Sequence, residues 1–254
     1  MLKIAVYGKG GIGKSTTVAN IAVVLAQRGL KVLQIGCDPK ADSTSLLHDN
    51  QKLTTILDLV RSKKNFTLEE MICTGYADVI CAEAGGPAPG VGCAGRGIIT
   101  ALENLEKKGI YEIYQPDVVL YDVLGDVVCG GFSMPMRDGY ADKVFIITSG
   151  ENMAIYAAAN IAMAVQHFQD RNYAQLGGII LNKRNVKHEL EKVQELCSDL
   201  GTSLIGTLSR SETVQASEEL HQTVMQAFPE SDMAEEYRIL ADQILKACEE
   251  KSSC

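Results

Sequence analysis

Short apolar runs alternate along the chain with longer segments of helical character. Residues 2–7, 32–35, 79–81, 118–121, 144–147, 178–181 and 204–205 are largely unbroken in hydrophobicity. That is the pattern of strands covered on both faces of a parallel sheet. Between them, residues 15–27, 97–108, 152–169, 189–200 and 233–250 predict helices. Gly29, Gly109 and Gly201 stand just beyond three of these, where a left-handed C-cap is expected. Strand–helix alternation predicts right-handed crossovers and an α/β fold, a mostly parallel sheet flanked by helices. The 254 residues suit a single domain spanning 1–254.

Composition narrows the function classes. Hydrophobic residues at 46% and charged residues at 22% exclude wholesale disorder. A net charge of −8, 6% aromatic residues and no Trp argue against nucleic acid as a partner. No apolar run reaches the roughly 20 residues needed to cross a bilayer, so no membrane partner is expected. The first residues lead straight from a strand into a glycine-rich turn rather than through a signal-peptide core, so a cytoplasmic location is expected. The eight cysteines form no CxxC pair. They are too sparse for a disulfide scaffold and wrongly spaced for a metal site closed within one chain.

The segment Gly8-Lys9-Gly10-Gly11-Ile12-Gly13-Lys14-Ser15 fits G-x-x-x-x-G-K-[ST] in full, between a predicted strand and a predicted helix. Its backbone N–H groups and the helix N-terminus suit phosphates, Lys14 the β- and γ-phosphates, and the Ser15 hydroxyl Mg²⁺. Lys9 resembles the signature lysine of the deviant Walker A ATPases, which reaches the nucleotide of a facing subunit and adds charge as an arginine finger does. Asp38 and Asp122 follow apolar runs, at the strand ends where α/β sheets bind ligands. Asp122 is placed as a Walker B aspartate holding Mg²⁺ through water, and Asp38 to orient the attacking water. Asp42 follows in the same segment as Asp38, and taken alone reads as a turn or N-cap residue.

Cys93 and Cys129 lie in glycine-dense segments, the second shortly after Asp122. Buried structural cysteines are the more common kind, and Cys197 and Cys248 fit that description. Glycine-flanked loops instead expose N–H groups of the sort that tune iron–sulfur clusters. Two thiols cannot complete a Cys₄ site, but a two-fold dimer presents the pair twice.

At these residues the chain resembles the nitrogenase iron protein family. The matching segments are residues 7–17, 36–44, 90–97 and 121–132. The resemblance implies a P-loop NTPase fold of the deviant Walker A type. It also implies a homodimer with one [4Fe-4S] cluster held by Cys93 and Cys129 of each subunit. The activity it implies is MgATP hydrolysis coupled to one-electron delivery to a nitrogenase-like catalytic metalloprotein, with a low-potential ferredoxin or flavodoxin as electron source. By the same resemblance, nucleotide contacts come from the loop glycines, Ile12 and Thr16, from Lys40 and Asp42, and from Asn182 and Arg210. Asp126 joins Lys9, Lys14, Asp38 and Asp122 in the catalytic set, residues 122–125 form the switch between nucleotide and cluster, and Arg96 docks the partner. Two departures accompany the match: the chain runs out at Cys254, short of the extension usual in the family, and Ser209 stands where proline is typical. Related readings are an iron protein serving a tetrapyrrole-reducing or other nitrogenase-like system, a partitioning-type scaffold ATPase, and an iron–sulfur carrier ATPase. The scaffold ATPase has no use for Cys93 and Cys129, and the carrier typically needs a close Cys pair.

Overall fold

The computed structural model describes residues 1–86, 94–125, 134–136, 139–168 and 173–249. Eight strands form one sheet: β1 Leu2–Tyr7, β2 Val32–Cys37, β3 Ile72–Thr74, β4 Ile80–Glu83, β5 Val118–Val123, β6 Lys143–Thr148, β7 Gln175–Asn182 and β8 Leu204–Leu208. Their order across the sheet is β3-β4-β2-β5-β1-β6-β7-β8. Every pairing is parallel except that of the edge strand β3 with β4.

The seven apolar runs all become strands, and β3 is an addition. Its three residues are too few for a periodic signal and pair antiparallel through the short connection of residues 75–79, so no crossover helix marks them. The helices are α1 Lys14–Gln27, α2 Ile56–Ser62, α3 Ala94–Lys107, α4 Ile110–Tyr114, α5 Asn152–Phe168, α6 Glu189–Asp199, α7 Glu212–Glu219, α8 Val224–Ala227 and α9 Asp232–Glu249. The five long ones match the predicted segments, with α3 starting three residues earlier. Gly29, Gly109 and Gly201 take the left-handed backbone expected beyond helix ends.

Side chains of successive strand residues point to opposite faces, and the sheet divides two hydrophobic cores. Ala5, Tyr7, Leu33, Ile35, Val119 and Tyr121 pack with residues of α3, α5 and α6. Ile4, Val6, Val32, Val118 and Leu120 pack with α1, α8 and α9. This double cover buries all six residues of β2, β5 and β6. Only strand ends and the loops beyond them are left for chemistry. At the carboxyl edge the register sets Gly36 beside both Glu83 and Asp122, and Val6 beside Asp122.

Candidate nucleotide site

The loop after β1 turns sharply into α1. Gly13, the residue before the helix, has φ +90, and a Cβ there would lie 2.5 Å from Asn182 Nδ2. Only glycine combines that dihedral with that approach. Asn182 Nδ2 donates to the Ile12 carbonyl at 2.7 Å, and Arg184 Nη2 donates to the Gly11 carbonyl at 2.8 Å. The end of β7 therefore braces the loop from one side, while a Cβ on Gly10 or Gly11 would meet nothing within 4 Å. The open side is where a ligand can approach the backbone.

That side faces a cleft of about 420 Å³ lined by the loop, Asp38, Lys40, Asp42, Leu124, Asn182 and Arg210, among others. Most of the nucleotide positions singled out in the sequence come together at this cleft. Gly10, Gly11, Gly13, Lys14, Ser15 and Thr16 line it directly, whereas Gly8 and Ile12 are buried behind. Lys9 is exposed and lies outside the lining. Thr16 donates through Oγ1 to Glu218 Oε1 at 2.8 Å, tying α1 to α7.

Lys14 is buried, and its Nζ meets Asp122 Oδ1 at 2.7 Å. Asp122 Oδ2 is also buried and has no hydrogen-bond partner among the described residues. An anionic oxygen with a free lone pair, beside a buried ammonium at the mouth of a phosphate loop, suits a hydrated divalent cation. Asp38 is buried as well, and its Oδ1 accepts the Lys40 N–H at 2.9 Å, which fixes the turn after β2.

Sequence reasoning missed Glu83. It ends β4 fully buried, and its Oε1 accepts both the N–H and the hydroxyl of Thr44 at 2.7 Å. Its other oxygen occupies the space over Gly36, where a Cβ would sit 1.9 Å from Oε2. Burial pushes the Glu83 carboxyl up to about 8, against the two Thr44 bonds, with Asp122 and Asp42 adding in the same direction. The signal available was its position at a strand's carboxyl end. Arg184, two residues beyond Asn182, was missed for the same reason.

Gly125 joins the nucleotide cleft to the chain beyond β5. A Cβ there would lie 2.1 Å from the Gly8 carbonyl oxygen and 2.8 Å from the Lys9 nitrogen. The segment leaving β5 thus rests directly on the backbone of the phosphate loop.

Residues 2–252 match the model of the "4Fe-4S iron sulfur cluster binding proteins, NifH/frxC family". The chain belongs to this family. It is 49% identical over 249 residues to a nitrogenase iron protein of Methanospirillum hungatei, a match covering 96% of this chain and 88% of that one. It is equally identical to nitrogenase iron protein 2 of Methanothermobacter thermautotrophicus, over 98% and 91% of the two chains. In fold it is similar to the septum site-determining protein MinD of Pyrococcus horikoshii, with a TM-score of 0.74 at 20% identity and full coverage of both chains. A ParA family ATPase of Chlorobium tepidum gives 0.71 at 18% identity, over 96% and 97% of the chains. The fold, a mostly parallel sheet flanked by helices, is thus shared with P-loop NTPases.

Within this NifH/frxC member, Cys93, Cys129 and Asp126 lie outside the described residues. Cys93 immediately precedes α3, and Cys129 comes four residues after Gly125. Arg96 is exposed in the first turn of α3. Among the described residues no group of three or more His, Cys, Asp or Glu side chains is placed to hold a metal, and no helix is long and apolar enough to cross a membrane.

Proposed function

We propose that this protein is the ATP-dependent one-electron reductase component of a nitrogenase or nitrogenase-like system, acting as a homodimer. Family membership across nearly the whole chain carries the reading. Two glycine-flanked thiols per chain support it, since a two-fold pair supplies the four thiolates of a Cys₄ cluster. Cys93 and Cys129 of both subunits would hold one [4Fe-4S] cluster, which supplies a one-electron couple. The partner would be a nitrogenase-like catalytic metalloprotein, met through Arg96, with a ferredoxin or flavodoxin as electron source.

In this reading the loop N–H groups receive the phosphates, and Lys14 exchanges Asp122 for them. Asp122, together with the Ser15 hydroxyl, would then hold Mg²⁺ through its water shell. Asp38, fixed by its own turn, orients the attacking water, and Asp126 assists. Lys40, Asp42, Asn182 and Arg210 surround the nucleotide. Lys9, outside the cleft lining, reaches the nucleotide of the facing subunit. Any displacement of Asp122 carries Gly125 across the backbone it rests on, and with it the chain toward Cys129.

The test is iron content after anaerobic purification. The native dimer should hold about four iron atoms and give the spin signal of a reduced cluster. Cys93→Ala and Cys129→Ala should each abolish both, while Cys197→Ala should retain them. An iron-free native dimer that still hydrolyses ATP would overturn the assignment in favour of a scaffold ATPase.

A further inference from the structure

Away from the nucleotide cleft, two cysteines face each other across the only antiparallel pairing among the described strands. Cys73 of β3 is directly opposite Cys81 of β4. Residues so paired have Cα atoms about 4.5 to 5.5 Å apart, inside the range of about 4.4 to 6.8 Å that a disulfide spans. The two thiols are free. Their surroundings differ. Cys81 is fully buried, with its Sγ also against the Val79 carbonyl at 3.5 Å. Cys73 is half-buried and lines a separate cleft of about 280 Å³, with His48, Gln51, Thr74, Tyr76 and Gln226 around it.

We propose that Cys73 and Cys81 are a dithiol–disulfide redox site whose substrate is a low-molecular-weight disulfide admitted through the cleft beside Cys73. The asymmetry assigns the roles. The Cys73 thiolate attacks one sulfur of the incoming disulfide, forming a mixed disulfide and releasing one thiolate. Cys81, its cross-strand neighbour, then attacks the Cys73 sulfur, expels the second thiolate and passes its proton to it. Two protein thiols are oxidised to one disulfide and the small disulfide is reduced to two thiols. The Cys73 thiol is drawn below its ordinary range by the facing Cys81 thiol, in keeping with its part as attacking group.

The site bears on the nucleotide cleft through the chain. Cys81 lies two residues before Glu83, which anchors Thr44. Gly75, two residues beyond Cys73, rests on Leu47, so that a Cβ there would lie 2.8 Å from the Leu47 carbonyl and 3.1 Å from Cys81 Sγ. A bond closed between β3 and β4 therefore fixes the platform beneath residues 44–47.

The experiment uses the anaerobic native dimer, equilibrated with glutathione from fully reduced to fully oxidised. Samples are quenched in acid, alkylated in denaturant and cut after glutamate. The peptide of residues 71–83 contains these two cysteines and no other. Oxidation should leave it two hydrogens lighter and closed to alkylation at both positions, reversibly on reduction. Cys81→Ser should accumulate glutathione on Cys73, and Cys73→Ser should leave Cys81 unmodified. Two alkylated thiols at every ratio, or a glutathione adduct that persists on Cys73 in the native chain, would overturn the proposal. So would glutathione on Cys81 in Cys73→Ser at the native rate.

Discussion

Burying Glu83 gives the protein a pH dependence that the nucleotide motif alone would not suggest. With its carboxyl raised to about 8, the folded chain binds one more proton than the unfolded chain between the ordinary carboxylate range and that value. Its contribution to stability is therefore fully present below the ordinary range and is lost as pH rises through about 8. Glu83→Gln keeps a carbonyl oxygen for Thr44 and removes the titration. Between roughly pH 6 and pH 9 the native free energy of unfolding should fall, and that of Glu83→Gln should fall less, the gap reaching on the order of a few kcal/mol. Parallel pH curves for the two proteins would contradict this account. Lys14 was legible from the spacing of the phosphate motif, and Asp122 from its place directly after an apolar run. Glu83 was not, because the apolar run that marks β4 ends at Cys81 and leaves the glutamate outside it. Its role appears only when β4 is paired beside β2.

At the scale of elements, the long helices and the parallel strands were readable, since each has enough residues for its period to show. The helices α2, α4, α7 and α8 were not. Each runs from four to eight residues, too short for a periodic signal against flanking loops. Three of them are marked instead by single caps: Thr55, Ser211 and Thr223 each accept a backbone N–H of the first turn. The contact between the segment after β5 and the phosphate loop is likewise absent from the linear pattern. It predicts that Gly125→Ala pushes the loop away from its bracing residues, at an overpacking cost of about 1–3 kcal/mol. Calorimetric titration of MgADP should show affinity reduced by roughly tenfold or more, with circular dichroism unchanged. Native affinity in a folded Gly125→Ala would remove the proposed link from nucleotide to residues 126–129.

For the whole molecule, the proposed dimer assigns the two lysines of the loop different parts, Lys14 within its own subunit and Lys9 across to the other. Lys14 is buried against Asp122, whereas Lys9 is exposed and outside the cleft lining. Lys14→Gln should weaken MgATP binding by about tenfold or more, since it removes a charge-assisted contact to phosphate. Lys9→Gln should leave binding within a few-fold of native but depress hydrolysis stimulated by the catalytic partner, as loss of a charge supplied in trans does. Equal loss of binding in both variants would place the two lysines in one site and remove the cross-subunit role.

Gly36 ties these scales together. Its missing side chain is the space that Glu83 Oε2 fills, so positions 36 and 83 act as one choice written in two places, 47 residues apart. A chain that gained alanine at 36 would need a shorter acid at 83, and Thr44 would then lose the oxygen that holds it. Among diverging relatives the two positions should therefore change together or not at all, and the segment after β2 is constrained by a strand that pairs beside it as well as by its own turn.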